Sequence, residues 1–440
     1  MTDSSIGTAD KEPRALSWSS FLSTYLPALI LALGTGIALP AIPTLARSFH
    51  VSFSLATGIT TSFLIGNVAG TIPSGWLVDR YGRRKVMLFG PLLTSAVALL
   101  VATAHSFPQL IVYRFFDGCA AQMWLVGRLA GISHGASPGQ RGKQVSWMFG
   151  MNNTGALFGP TIGGFIAADL GVRAPFFAYA ILALIALIPA FMFTPDTPRR
   201  ERAADSNAPV RTLSIREIVR PRLAFFAVAL FAGLARGPVS ADLLHLYAAY
   251  AYHLGPEKIG YLATAAAAIS LPIGFIAGWM MDRFGRKRTM IPGFAGVVIT
   301  MSGLAVVAFM HLSFFWYVVI FLMGIVLQSL TGGSIQTIGA DVAPPEARGK
   351  FLGIYRFAGQ GGVSLSPIIF ATLTATMGYG AAFVFIAAAA AVVAGLLILV
   401  VPETGQAGGR SGARSGEKEI VGPDANAKLA TQVGEDDGDG

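Results

Sequence analysis

Charge is what this sequence has least of. Of its 440 residues only 12% are Asp, Glu, Lys or Arg, whereas 53% are hydrophobic and the mean hydropathy is +0.61. Ordinary soluble domains carry roughly 25% charged residues, so the deficit argues against a water-facing globular protein. Cysteine is scarcer still. Cys119 stands alone inside an apolar run, which excludes a disulfide framework and a cysteine-based metal site. A GxxxxGK[ST] phosphate loop is also missing, so nothing points to nucleotide-driven work. The opening stretch, with Lys11 and Arg14, lacks a small-residue cleavage pattern before a short apolar core and reads as a retained tail.

What is present is apolar length. A helix needs about 20 apolar residues to cross the hydrocarbon core. Runs of that size fall near 18–43, 53–76, 85–104, 108–131, 143–168 and 174–194, then 223–249, 258–281, 289–310, 313–339, 350–376 and 380–401. Backbone polar groups in lipid must be satisfied internally, and these runs are too long for barrel strands. The expected fold is therefore an all-α membrane protein of twelve transmembrane helices. Its expected parts are a tail (1–17), a six-helix bundle (18–194), a linker (195–221), a second six-helix bundle (222–404) and a disordered tail (405–440). No room is left for a soluble catalytic domain, so no enzyme and no cofactor is expected.

The net charge of +9 is a topology signal and not a nucleic-acid footprint. One set of alternate loops collects Arg80 to Lys85, Arg141, Lys143, the central linker, Arg283 to Arg288, Arg348 and Lys350. The other set collects only Arg47, Arg173 and Lys258. By the positive-inside rule both termini are expected in the cytoplasm, with the chain in the cytoplasmic (inner) membrane.

The two halves repeat. Gly75-Trp76-Leu77-Val78-Asp79-Arg80-Tyr81-Gly82-Arg83-Arg84-Lys85 recurs as Gly278-Trp279-Met280-Met281-Asp282-Arg283-Phe284-Gly285-Arg286-Lys287-Arg288. Arg141-Gly142-Lys143 recurs as Arg348-Gly349-Lys350, and Pro195-Asp196-Thr197 as Pro402-Glu403-Thr404. Six spans per half is an even number, so both halves enter from the same side as parallel repeats. The duplicated Gly-x-Leu-x-Asp-Arg-x-Gly-Arg-Arg-Lys element resembles that of the major facilitator superfamily, over roughly residues 18–404 and with the drug or metabolite:proton antiporter branch as the nearest pattern. The resemblance implies two pseudo-symmetric bundles rocking about a central site, driven by an ion or solute gradient.

Candidate chemistry follows the rare charges. Asp79, with Arg80 and Arg83, sits where a carboxylate can face the positive end of a neighbouring helix, worth roughly 0.3–1 kcal/mol. The resemblance implies a gate latch there, repeated by Asp282, Arg283 and Gly285; the plainer alternative is that these charges only anchor the hairpins. Gly75 and Gly82 allow close packing and a tight turn. The second half keeps an acid at Asp341 where the first has His134, which puts a charge relay through that position in doubt. Leu110-x-x-x-Arg114-x-x-Asp117-Gly118 resembles the family's span-4 motif, and Arg114 and Asp117 share a helix face. They are read either as a proton-coupling site or as a static pair.

Span 5 carries Gly155, Gly159, Pro160, Gly163 and Gly164, a stripe that admits another helix closely and, in the resembling family, goes with proton-exchanging exporters. The second half has Gly362, Ser366, Pro367, Phe370 and Ala371 instead, which suggests a role special to span 5. Asp242 is a second proton candidate, with Arg236 or His245 as partner, or else an outer-interface residue. Arg356 is expected to hold an anionic group or a gate, and Arg128 is a further charge within a span. Phe115, Trp124, Phe149 and Tyr247 are pocket or packing aromatics. Four Arg against two Asp within the spans favours neutral or anionic cargo, and span 1 holds no acid. The expected function is a proton-coupled exporter of a small organic molecule, working as a monomer with protons and the lipid bilayer as partners. A symporter for a sugar or organic acid, or a non-transporting receptor on the same scaffold, are the alternatives.

Overall fold

The computed structural model describes residues 21–135, 141–194, 215–344 and 347–401. The expected tails and most of the expected linker lie outside the described residues. The end of that linker, 215–222, is helical, as Ile215–Val219 followed by a 3-10 turn over Arg220–Arg222.

Among the described residues the long helices and helix pairs group into twelve spans, eight of them holding a helix long and apolar enough to cross a membrane; each is helical because lipid leaves the backbone no other partner. In the first half they are Phe21–Ser48, Phe53–Tyr81, Arg83–Ala102, Phe107–Gly135, Arg141–Asp169 and Ala174–Phe193, numbered here as spans 1 to 6. In the second half, span 7 is Leu223–Ser240 with Leu243–Ala251, span 8 Pro256–Phe284, and span 9 Arg286–Phe309. Span 10 is Phe314–Ser329 with Ser334–Val342, span 11 Arg348–Met377, and span 12 Tyr379–Leu399. Span 1 is interrupted between Ala38 and Ala41, where Pro40 removes a backbone donor.

Spans 2 and 8 run farther than their apolar runs suggested. At 29 residues and 1.5 Å per residue, span 2 is about 44 Å long and overshoots the hydrocarbon core. Asp79 and Arg80 therefore sit in its last helical turn and not in a loop. The turn stops at Gly82, with φ +85°, and its image stops at Gly285, with φ +97°, a left-handed backbone that favours glycine.

Span 1 packs on spans 5 and 6, span 4 on spans 2 and 3, and span 3 on span 6. The second half repeats this with span 7 on spans 11 and 12, and span 9 on spans 10 and 12. Between halves, span 5 meets span 8 and span 2 meets span 11. Those two contacts are each other's image under the repeat.

They also lie at one end only, the end away from the basic turns. There Arg47 donates to the carbonyls of Ala249 (3.0 Å) and Leu254 (2.6 Å). Tyr250 donates to Val51 (3.2 Å), Ser54 to Ala371 (3.0 Å), and Thr161 to Thr264 (2.8 Å). Phe53 stands edge-on to Tyr379 at 5.0 Å. At the basic end Ile72 is 83% and Phe275 77% exposed, and a side chain added at Gly75, Gly278 or Gly353 would meet nothing within 4 Å. The cleft between the bundles is sealed at one end and open at the basic end.

Candidate functional site

The span-5 glycines settle how the first bundle meets the second. A Cβ at Gly159 would lie 2.6 Å from Gly36 Cα and 2.7 Å from Leu33 O, and Gly155 and Gly163 likewise face backbone of span 1. Gly164 turns to the other half, where a Cβ would lie 2.9 Å from Pro256 O and 3.0 Å from Glu257 Cα. The stripe thus holds spans 1 and 5 together, and its last glycine bears on span 8. Close helix approach also occurs in the second half, without the full stripe. In the second half Gly362 and Ser366 of span 11 meet Gly233 and Gly237 of span 7, so the small residues are divided between two helices.

Arg114 donates to Asp117 Oδ2, and both side chains are buried. The guanidinium also lies 4.6 Å from the centre of the Phe63 ring. Asp117 Oδ1 has no hydrogen-bond partner. Arg114 lines a small cavity of about 70 Å³ together with Thr35, Tyr179 and Asp242. Asp242 interrupts span 7 with a left-handed backbone (φ +53°), which aims the following turn away from the preceding helix. Its Oδ1 stands 3.6 Å from His245 Nδ1, so His245 and not Arg236 is its neighbour. Arg114 of the first bundle and Asp242 of the second thus border one small cavity.

Two larger cavities flank this point. One, of about 310 Å³, belongs to the first bundle and is lined by Trp124, Arg128, Phe149 and Asn152 among others. The second, of about 400 Å³, lies mostly in the second bundle and is lined by Arg236, Arg356, Gln336 and Gln360 among others. Asn67 borders both. Trp124 lines the first of these cavities, and Arg128 lies over its ring at 4.8 Å. Phe115 lines none of these three cavities; its backbone is instead the surface on which Gly66 of span 2 packs. Tyr247 lies in the sealed end, edge-on to Tyr379 and Phe383. Sequence reasoning missed Asn67, Gln336 and Gln360, whose signal was an amide inside an apolar run, and it missed Arg47 as a clasp.

At the open end the described contacts of Arg80, Arg83, Arg283 and Arg286 stay within their own bundles. Arg80 lies over Trp76 (5.3 Å) and Arg283 over Trp279 (5.5 Å), the same contact twice. Arg83 donates to Gly131 O at 3.0 Å, tying span 3 to span 4, and Arg286 Nε pairs with Asp341 at 3.0 Å, tying span 9 to span 10. Where the second half uses a carboxylate, the first uses a backbone carbonyl. The side chains of Asp282 and His134 lie outside the described residues.

Two six-helix bundles around a polar cleft that is shut at one end make a multi-pass membrane carrier of the secondary-transporter class. The chain belongs to the Major Facilitator Superfamily, whose family model matches residues 25–367 and 225–431. It is 26% identical over 319 residues to the class B tetracycline resistance protein of Escherichia coli, covering 70% of this chain and 78% of that one. It is 26% identical over 297 residues to multidrug resistance protein 2 of Bacillus subtilis, covering 64% and 74%. Among solved structures, the xylose transporter XylE of E. coli in an inward-open conformation superposes with TM-score 0.70 at 19% identity, over 86% of this chain and 96% of that one.

Proposed function

We propose that this chain exports a small organic molecule in exchange for protons across the cytoplasmic membrane, with both termini in the cytoplasm and one chain forming the complete carrier. The observation that carries the reading is the buried Arg114–Asp117 pair, whose Arg114 borders a cavity together with Asp242. The names of the tetracycline and multidrug resistance relatives support the direction.

In the form described, the cleft faces the basic, cytoplasmic side and the outer contacts are closed. Cargo enters the cavities beside Asn67. Rocking separates the outer contacts and closes the basic end, where the two copies of the Asp-Arg turn meet the opposite bundle. Asp117 then exchanges some of its arginine contact for water, and a carboxylate that changes partner changes its hold on a proton. One site thereby alternates between cargo-loaded and proton-loaded states.

Flux driven by an imposed pH gradient in proteoliposomes tests this. Asp117→Asn is expected to abolish gradient-driven flux while leaving cargo binding; unchanged flux removes Asp117 from the mechanism. Accumulation of cargo on the same side as proton arrival would instead show a symporter.

A further inference from the structure

Among the arginines of the spans, some lie on a carboxylate and others line the cavities without one. Arg114 lies on Asp117 and Arg286 on Asp341. Arg128, Arg236 and Arg356 have no carboxylate partner among the described residues. All three line the two larger cavities, and neither cavity has an Asp or Glu in its described lining. Arg128 is buried, and its Nε and Nη1 have no acceptor; Arg236 is half-buried with Nε unpartnered, and Arg356 is exposed to the cleft. A charge held inside a membrane protein without a partner is costly, and an apolar side chain of similar volume would pack there more favourably. Apart from the Trp124 ring over which Arg128 lies, the described lining offers these charges no counterpart, so the cleft presents net positive charge to whatever enters it.

We propose that the cleft binds an organic anion. Its acidic head takes Arg236 and Arg356, whose planar guanidinium groups match carboxylate or phosphate oxygens in pairs. The amides of Gln336 and Gln360 border the head, and Phe63 and Val363 supply apolar surface for its body. Arg128, on the facing bundle, supplies the opposing positive wall. The two lysine-free cavities therefore select against cations, which would meet three like charges. This deepens the exporter reading and rests on it only for direction. If one monoanion leaves as one proton enters, both movements carry charge in the same sense, so transport is electrogenic, unlike a one-for-one exchange of a cation for a proton.

Binding is measured by thermal shift and calorimetry on the full chain in detergent, with matched probes sharing one body: phenylbutyrate, phenylbutyl phosphate, phenylbutanamide and phenylbutylamine, and the same series on an octyl body. At least one acid is expected to bind more tightly than its amide and amine, and the carboxylate and phosphate arms separate the two head groups. Arg356→Gln and Arg236→Gln are each expected to weaken the acid roughly tenfold to a hundredfold, and Arg356→Lys to recover part of that. The proposal falls if no acid outbinds its amide, or if both glutamine variants bind the acid as the parent does. Calorimetry on variants with the parent's unfolding temperature separates lost binding from lost folding. Acid binding with no proton-driven flux would sink the exporter reading and leave the anion site standing.

Discussion

Gly164→Ala isolates the rocking motion from folding. The added Cβ would sit 2.9 Å from Pro256 O and 3.0 Å from Glu257 Cα, against about 3.4 Å for ordinary contact. Both atoms are backbone and cannot swing aside, so spans 5 and 8 must part by 0.5 Å or close to it where they touch. Overpacking of that kind costs typically 1–3 kcal/mol. The contact exists only while the outer end is closed, so the cost falls on that state alone. The gain in helix propensity, about 1 kcal/mol for Gly to Ala, is common to both states and cancels in their ratio. The closed-to-open ratio of the outer end is then expected to fall roughly 5- to 150-fold. Spin labels at Leu170 and Met310, both exposed at that end and on different halves, read the separation by pulsed dipolar spectroscopy after Cys119→Ser. A longer-distance population should grow. The control is Gly159→Ala, whose Cβ would meet Gly36 Cα at 2.6 Å within the same half; it should lower the unfolding temperature without changing the distance distribution. An unaltered distribution in the Gly164 variant would refute the account of the stripe as a bearing between halves.

The other expectations concern the clasps and turns. Arg47→Met removes the donors to Ala249 and Leu254 and should raise opening of the sealed end by the same spin-label readout, with little effect on unfolding temperature. Gly285→Ala forces a Cβ onto a backbone at φ +97° and should cost about 1 kcal/mol or more in chemical denaturation, with Gly82→Ala doing the same in the first half. Asp341→Asn breaks the pair with Arg286 at a partly exposed site, so its cost should stay near 0–1 kcal/mol and shrink further in high salt. A large loss there would mean that the pair holds the gate and not just the end of span 10.

Local chemistry made much of this readable early. Apolar length fixed twelve crossings, the duplicated Asp-Arg turns fixed two halves, and the three-residue spacing of Arg114 and Asp117 put them on one helix face. Glycine at steps of four announced a close helix neighbour, though not which one. The sequence could not show that Gly164 leaves the stripe to face span 8, because the partner is 90 or so residues away and is chosen by bundle geometry.

The rest belongs to the tertiary arrangement. Residues far apart in the chain meet only when two bundles tilt, so the sealed end and the Arg47 clasp are properties of one tilt. Phe115 and Trp124 lie on the same helix and look alike as apolar aromatics, yet one packs on span 2 and the other faces a cavity. Periodicity says which residues avoid water; only packing between helices decides which of them avoid it beside lipid, beside a neighbour, or around a space that cargo can fill.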